Sequence, residues 1–297
     1  MSVRQPSLRG KLFKRARQVV YLIAHPIDHW RSAQRLRASG SSEARAAQYK
    51  YLGGYLALPM AVVDRRRAFV SHYEMFDCLA SDEMKSGLGD SVLLWQRHVA
   101  DDKPPLRIML EAARLAPMEG ELQLRFAFRS DLFVLTFLLS SGRPFNIDAS
   151  TVLFVGGAQG GYHCREETRE ASKLNGEISP AAMLVIAVQV LAKMMRIERL
   201  IAVNEDHQVS TSYASELIKL DYRRFWADAG GIRHDRYYQL PQESTSKPLE
   251  EVPQTHRKRT RRKREAKAAI RAQIEQRLAQ LMAPQTTALE ICPGVSA

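Results

Sequence analysis

Glycines at the end of an apolar run are the first residues whose type and spacing point to chemistry. Residues 151–157 (TVLFVGG) are followed by residues 158–161 (AQGG), and Ser179 and Pro180 open a long apolar stretch further on. A glycine-rich turn beside a helix N-terminus presents backbone N–H groups that can hold an anion such as a phosphate. The simpler interpretation is a tight turn beside a sheet, because a glycine-rich strand end is a weak signal of binding.

Two single side chains are candidates for acid–base or nucleophilic chemistry. His207 lies in the polar segment NEDH and could accept a proton, because imidazole titrates near neutral pH; the alternative is a capping or solvated histidine. Cys164 stands beside His163 and near Glu166, a set that could activate a thiol, yet adjacent side chains rarely have the required geometry. A surface cysteine is therefore the favoured interpretation.

The sequence does not support a metal site or a disulfide framework. His25 and His29 have a spacing found in helical metal ligands, but Pro26 makes a regular helix through both doubtful and no third ligand is indicated. The three cysteines have no paired spacing. We therefore expect no metal and a reducing, cytoplasmic setting.

Five short apolar runs predict the strands of a sheet. They are residues 106–112, 120–128, 133–139, 152–155 and 200–203. Short connections join the first three runs and favour an antiparallel meander, whereas a long apolar helix, capped by Ser179 and begun by Pro180, separates the last two and makes them parallel. The prediction is an α+β fold with a mixed, largely antiparallel sheet flanked by helices.

The chain divides into three regions. Residues 1–100 form a helical N-terminal region, in which the patterns suggest helices over 44–55, 65–79 and 91–99. Residues 101–245 form the mixed-sheet core, and residues 246–297 form a basic amphipathic C-terminal tail.

The net charge of +12 is concentrated at the two ends of the chain. It amounts to +9 over residues 1–50, −4 over 51–254 and +7 over 255–297. The run HRKRTRRKR at 256–264 precedes apolar residues at helical spacing, a pattern that suits an anionic membrane surface or nucleic acid. We prefer the membrane surface over nucleic acid, because base-stacking aromatics are nearly absent from the tail and residues 8–23 supply a second basic and apolar segment. The alternative is a solvated terminal helix.

Neither a transmembrane helix nor a cleaved signal is predicted. The apolar run at 19–24 (VVYLIA) is far shorter than the roughly 18 residues expected of a spanning helix. It also lacks a convincing small-residue cleavage site. We therefore expect a cytoplasmic protein that lies peripherally on the inner membrane.

Several blocks of the sequence together resemble the VirK/YbjX family of bacterial proteins. The blocks are EGELQLRF, LFVGGAQGG, ASKLNGEISPAAMLVIAVQVLAKMMRIERLIAVNEDH, DYRRFWADAGG and YYQLP, in this order. The resemblance covers the chain from about His25 to the basic tail. It implies a Gram-negative protein linked to virulence, to surface presentation of outer-membrane proteins and to envelope stress. It implies no settled biochemical activity.

The order of elements also resembles the acyl-CoA N-acyltransferases of the GNAT superfamily. The shared order is a meander, a glycine loop, a helix and a strand, then a later block that here contains FW, GG and YYQLP. The resemblance implies acyl-CoA as the cofactor. Its pyrophosphate would lie on the glycine loop and the helix N-terminus, and its thioester between two separating parallel strands, here 152–155 and 200–203.

The GNAT resemblance implies roles for individual residues. The cofactor-binding candidates are Gln159, Gly160, Gly161, Ala181, Ala182 and Asn204. Tyr213, together with Asn204, would hold the cofactor and protonate the departing thiolate. His207 or Glu121 would accept the proton of the amine.

This sequence departs from the GNAT pattern at one place. Residues 161–179 separate the glycines from the apolar helix, where the pattern places the loop directly against the helix. Either this insertion folds away and residues 179–182 still present their N–H groups, or no cofactor is bound.

Two classes of function therefore remain open. The first is an acyltransferase that modifies a lipid, peptide or protein component of the envelope. The second is a non-enzymatic accessory that binds the inner-membrane surface or an exported envelope protein. A deep cleft between the two parallel strands favours the enzyme, whereas a cleft filled by Tyr162 or Leu174 favours the accessory.

Overall fold

One eight-stranded sheet forms the centre of the protein. The computed structural model describes Ala16 and residues 19–38, 48–99, 101–210, 220–243 and 248–282. The strands are β1 (Val92–Arg97), β2 (Leu106–Ala112), β3 (Leu122–Ala127), β4 (Asp131–Ser140), β5 (Val152–Gly160), β6 (Arg199–Val203), β7 (Ile232–Arg233) and β8 (Tyr237–Leu240). The helices are α1 (Pro26–Ala38), α2 (Val62–Leu79), α3 (Asp82–Gly87), α4 (Arg165–Leu174), α5 (Pro180–Met194), α6 (Tyr222–Asp228) and α7 (Gln254–Leu281).

The sheet is mixed and largely antiparallel, as predicted. Its strand order is β1-β2-β3-β4-β5-β6-β8-β7. The pair β5 and β6 is parallel, and the other neighbouring pairs described are antiparallel. Helices α4 and α5 form the crossover that a parallel pair requires. The predicted α+β fold is therefore confirmed.

The prediction of a helix over residues 91–99 is wrong, because this segment contains the edge strand β1. β1 pairs antiparallel with β2, and the register shifts between Leu93 and Trp95. Leu94 and Trp95 are buried while Leu93 stays exposed. Leucine occurs in helices and strands alike, so the free edge of β2, rather than the local pattern, decides the structure.

Helix α5 begins where the sequence places it. The Ser179 hydroxyl accepts a hydrogen bond from Ala182 N at 3.2 Å, and Pro180 occupies the first turn. The helix packs against β3, β4 and β6, and α7 covers it on another side. This double cover explains why apolar residues run almost all the way round α5.

The central strand β4 is buried on both faces. All its residues after Asp131 are buried. Helices α2 and α5 both pack against β4, which gives the sheet its cover. The helix predicted over 65–79 is thus present as α2, and it belongs to the same core as the sheet. Of the helix predicted over 44–55, residues 44–47 lie outside the described residues, and the rest contains only a short 3-10 helix at Lys50–Leu52.

The C-terminal helix α7 is part of the core and is not a free amphipathic tail. It packs against α5 and β1. The apolar residues that follow the basic run are buried there, namely Ile270, Ile274, Leu278 and Leu281. Most of the basic run itself remains exposed. The apolar stripe therefore stabilises the fold, since it is already covered by protein.

We predict that Ile274→Ala destabilises the whole protein by about 2–5 kcal/mol, because it removes a fully buried side chain between α7 and the sheet core. Chemical denaturation measures this loss. Arg261→Ala in the exposed part of α7 is the control, with an expected change within about 0.5 kcal/mol. A similar small change for both variants would mean that α7 is not part of the folding unit.

We also predict an acid-sensitive fold because of His72. This histidine is 1 % exposed, and its Nδ1 accepts a hydrogen bond from Leu139 N at 3.2 Å. Burial, with the charge of Lys50 as a second cause, lowers the pKa of His72 from 6.5 to about 3. Between about pH 6.5 and pH 3, this histidine is protonated in the unfolded chain but stays neutral in the folded protein. The free energy of unfolding therefore falls over this range as the pH drops, by up to about 1.4 kcal/mol per pH unit.

Denaturation curves at a series of pH values measure this dependence. His72→Asn keeps an acceptor but does not titrate, so its stability should fall less steeply between pH 6.5 and 4. The control is His234→Asn, at an exposed histidine, and it should retain the slope of the unmodified protein. Equal slopes for all three proteins would contradict the assignment to His72.

Candidate functional site

The candidate site lies where the parallel strands β5 and β6 separate. Their pairing runs from Val152 with Arg199 to Val155 with Ala202. Beyond Val155, β5 continues to Gly160 along β4, after a register shift that leaves Gly156 unpaired in the ladder. The last residues of β5 therefore have β4 on one side and no strand partner from β6 on the other.

Side chains of α6 fill this gap. The Tyr222 hydroxyl accepts hydrogen bonds from Ala158 N at 2.7 Å and Gln208 Nε2 at 2.6 Å, and donates one to Ala158 O at 2.8 Å. Trp226 Nε1 donates to Val203 O, the last carbonyl of β6, at 3.0 Å. One hydroxyl group thus satisfies both main-chain groups of Ala158, using its single donor and both lone pairs.

Helix α6 is held in this position by its own N-terminus. Asp221 caps the helix by accepting a hydrogen bond from Arg224 N at 3.0 Å. The cap places Tyr222 on the first helical residue, 3 % exposed, and Trp226 one turn later, with no exposed surface. The gap is therefore filled, which was the expectation for the accessory, but the filling residues are Tyr222 and Trp226. Tyr162, one of the two residues expected there, is 70 % exposed.

A buried carboxyl group lies against the bulge of β5. Glu119 is 2 % exposed, and its Oε1 is 3.4 Å from Gln208 Nε2. Desolvation raises the pKa of Glu119, and its contacts with Ser210 and Gln208 offset only part of the rise. A Cβ atom on Gly156 would overlap the Glu119 carbonyl oxygen, and one on Gly157 would overlap its carboxyl group. The two glycines are therefore needed for this close approach.

The expected glycine loop is in fact the end of a strand. Gln159 pairs with Val134 and Gly160 pairs with Phe133, both in the ladder with β4. Gly161 N donates to Leu132 O at 2.9 Å. The antiparallel ladder continues through these residues because β4 is long enough to pair with them, so they do not form the separate anion-binding turn that the sequence suggested.

The helix N-termini nearby are also engaged. Ala181 and Ala182 lie in the first turn of α5, as predicted, but the Ala182 N–H is already bound by the Ser179 hydroxyl. The polar insertion forms α4, whose first turn carries Glu166 and Glu167. Two negative charges at this helix start disfavour a bound anion.

Asn204 and His207 form the turn after β6. The Asn204 side chain donates to Asp235 O at 2.7 Å and accepts from His207 N at 3.1 Å. His207 lines a small cavity of about 40 Å³ with Phe154 and Tyr237. Asn204 is buried and holds the turn together, while His207 faces a space the size of one or two water molecules.

Glu121 is part of a buried polar cluster. Its carboxylate accepts hydrogen bonds from Lys50 Nζ at 2.6 Å, Tyr55 Oη at 2.6 Å and Tyr73 Oη at 2.7 Å. These bonds connect the N-terminal region, α2 and the residue that precedes β3. Tyr213, the expected proton donor, lies outside the described residues.

Sequence reasoning missed Glu119, Gln208 and Tyr222 as site residues. Trp226 is a fully buried anchor of the short helix α6, and Tyr222 lies at the start of the same helix. The available signal was Asp221, an N-cap residue that fixes Tyr222 as the first residue of a helix following β6. No pattern in the sequence indicated that this helix would reach Ala158.

Two further properties concern the described part of the chain. No group of three or more His, Cys, Asp or Glu side chains there could hold a metal ion. His29 Nδ1 lies 2.5 Å from the Tyr51 hydroxyl. No helix among the described residues is long and apolar enough to cross a bilayer.

We predict that Gly156→Ala destabilises the protein by about 1–3 kcal/mol or more, because the new methyl group must push the Glu119 backbone away from β5. Gly160→Ala is the matched control. Its Cβ would meet only the Phe133 ring at 3.9 Å, so the change should stay within about 0.5 kcal/mol. Thermal or chemical denaturation compares the two variants, and equal effects would contradict the close approach of Glu119 to Gly156.

Comparison with known proteins gives a family for the chain. Residues 14–276 match the family described as "Protein of unknown function (DUF535)". Neither the curated proteins nor the solved structures contain a match to the chain. The family match covers most of the sequence and agrees with the resemblance carried by the five sequence blocks. The chain therefore belongs to DUF535, the family of unknown function that includes VirK/YbjX.

Proposed function

We propose that the protein transfers an acyl group from a thioester to an amine at the gap between β5 and β6. The observation that carries this proposal is the Tyr222 hydroxyl, which occupies the hydrogen-bonding groups of Ala158 where β6 has left β5. A side-chain hydroxyl can be displaced, whereas a neighbouring strand cannot. The Ala158 N–H would then be available to the carbonyl oxygen of a thioester.

The groups around the gap have the chemistry that acyl transfer requires. An amine attacks the thioester carbonyl carbon, the new C–N bond forms and the C–S bond breaks. Tyr222, displaced by the thioester, would give its phenolic proton to the departing thiolate. Glu119 would accept the proton of the amine, because a carboxyl group with a raised pKa is a stronger base than an ordinary one. Tyr222 thus takes the role that the sequence suggested for Tyr213, and Glu119 that of His207 or Glu121.

Acyl-CoA is the proposed donor, and its two ends fit the protein differently. The thioester end has a matching position at Ala158. The pyrophosphate end has no turn of consecutive N–H groups at Gln159–Gly161, because these residues continue the ladder with β4 and the Gly161 N–H is bound to Leu132. An acyl donor with a thioester but no pyrophosphate therefore tests the thioester position without requiring a pyrophosphate site.

The predicted result is that a thioester stabilises the protein and is cleaved by it. Acetyl-CoA, decanoyl-CoA and an acyl N-acetylcysteamine thioester, which lacks phosphates, are tested for thermal stabilisation and for thiol release with a primary amine as acceptor. Tyr222→Phe removes the proton donor and should lower the turnover number about 10²–10⁴-fold while the thioester still binds. Tyr162→Phe, at an exposed tyrosine, is the control and should have normal turnover.

Two outcomes would contradict the transferase. One is that none of the three thioesters, at millimolar concentration, raises the unfolding temperature or yields thiol. The other is equal turnover in Tyr222→Phe and the unmodified protein. Denaturation curves of Tyr222→Phe accompany the assay, because loss of the hydroxyl leaves Ala158 groups unpaired and costs about 1–3 kcal/mol of stability.

A second candidate function has its own supporting observation. Tyr222 and Trp226 fill the gap with satisfied hydrogen bonds, so the fold needs no ligand there. This favours a non-enzymatic accessory that assists the handling or surface localisation of envelope proteins, as the VirK/YbjX resemblance implies. For either function we propose a cytoplasmic protein on the inner-membrane surface, acting on an envelope protein or lipid, with no role for nucleic acid.

A further inference from the structure

We infer that α1 and the arginine-lined groove beside it form a docking surface for an anionic membrane, in which the groove binds the phosphate of a lipid headgroup. This inference rests on the proposed membrane-surface location and is independent of the proposed acyl transfer. It also assigns the membrane contact to a part of the molecule other than the basic run of α7.

The groove lies between α1, α2 and the turn that follows β4, and it encloses about 250 Å³. Its lining contains five arginines, namely Arg31, Arg35, Arg66, Arg67 and Arg143. The same lining contains two carboxylates, Asp28 and Glu74. The groove therefore has a formal excess of three positive charges. A concave site with such an excess attracts anions, and guanidinium groups match the geometry of phosphate oxygens.

Three of the five arginines have carboxylate neighbours, and two have none. Arg67 Nη1 is 3.3 Å from Asp64 Oδ1, a carboxylate outside the lining. Arg66 Nη1 is 3.2 Å from Asp28 Oδ2, and Arg35 Nε is 3.6 Å from Glu74 Oε1. Arg66 is 8 % exposed, and its buried Nη1 makes no hydrogen bond of good geometry. Arg31 and Arg143 form no ion pair within the described residues. The groove thus keeps positive charge, above all on Arg31 and Arg143, that an incoming phosphate could use.

An exposed apolar stripe runs along the same helical segment. Residues 19–24 are helical and lead into α1, with backbone hydrogen bonds from His25 N to Tyr21 O and from His29 N to His25 O. The stripe consists of large apolar side chains at helical spacing that are 53 % to 73 % exposed, namely Val19, Val20, Ile23, Ile27 and Trp30. Most large apolar side chains of this protein are buried, so a stripe of five exposed ones indicates a surface that meets an apolar phase.

The stripe and the groove are adjacent on α1. Arg31 follows Trp30 directly and lies one turn after Ile27, so it stands at the edge of the stripe; Arg35 is one turn further along. A helix of this kind lies in the membrane interface with its apolar side among the acyl chains, and tryptophan favours that depth. The arginines at its edge would then reach the phosphate layer.

A lipid headgroup explains both features, whereas other anions explain one. A free phosphate or a soluble phosphate ester would use the groove and leave the apolar stripe in water. Nucleic acid would use the charges, but it offers no apolar phase for Ile23 and Ile27. The combination of an apolar stripe with a cationic groove therefore commits the surface to an anionic lipid bilayer.

Trp30 provides a direct measurement of docking. The chain has three tryptophans, and the other two, Trp95 and Trp226, are 4 % and 0 % exposed. A blue shift of the tryptophan emission on adding vesicles therefore reports on Trp30. The full chain is titrated with vesicles of phosphatidylglycerol and phosphatidylcholine, and with vesicles of phosphatidylcholine alone. Co-sedimentation with the vesicles gives the bound fraction.

We predict a blue shift and co-sedimentation with the anionic vesicles only. The double variant Arg31→Glu and Arg143→Glu should bind at least about tenfold more weakly, because it reverses two charges that face the headgroups. The matched control, Arg261→Glu and Arg262→Glu, makes the same change of charge on the exposed part of α7 and should bind within about twofold of the unmodified protein. Ile27→Ser should lose binding to the anionic vesicles without a change in charge.

Several results would overturn the docking surface. These are binding without a blue shift, a larger loss from the α7 control than from the groove variant, or protection by glycerol phosphate with no binding to vesicles. Stronger retention of a DNA duplex than of vesicles at the same salt would also overturn it. Circular dichroism and the unfolding temperature establish that each variant is folded. The thioester assay on the groove variant should be unchanged, so the two proposals can fail separately.

Discussion

The structure depends on how main-chain groups are satisfied where β5 and β6 separate. After the pair Val155 and Ala202, the N–H and C=O of Ala158 and the C=O of Val203 have no partner from the neighbouring strand. Buried main-chain groups without a hydrogen bond are costly, so another element must supply one. Helix α6 does so through Tyr222 and Trp226. This requirement places a phenolic hydroxyl at the point where the sheet opens, and the proposed chemistry follows from it.

Two carboxylates that are two residues apart in the chain have different surroundings. Glu121 accepts hydrogen bonds from Lys50, Tyr55 and Tyr73, and joins the N-terminal region to the sheet. Glu119 lies against the glycine bulge of β5, where desolvation raises its pKa. The three donors around Glu121 fix its position between the N-terminal region and the sheet, which is a structural role. Glu119 is the better candidate for accepting a proton, because desolvation keeps its pKa raised although Ser210 and Gln208 face it.

The two basic segments of the described chain differ in whether their neighbouring apolar side chains are buried. The basic run of α7 precedes apolar residues that pack on α5 and β1, so the amphipathic pattern of this helix is explained by the fold itself. On α1 and on the helical residues 19–24 before it, the apolar side chains remain exposed next to the arginines of the groove. An amphipathic pattern indicates membrane contact only where its apolar side is not already buried by protein, and only the segment at the start of the described chain meets this condition.

The sequence by itself determined the α+β class, the meander, the parallel pair β5 and β6, and the N-cap of α5, because these depend on local periodicity and on residues such as Ser179 and Pro180. Tertiary structure decided the rest. Residues 92–97 became a strand because β2 offered a free edge, and Gln159 and Gly160 stayed in a strand because β4 was long enough to pair with them. The meeting of Tyr222 with Ala158, 64 residues apart, depends on the path of α6 over the sheet, which no local pattern records.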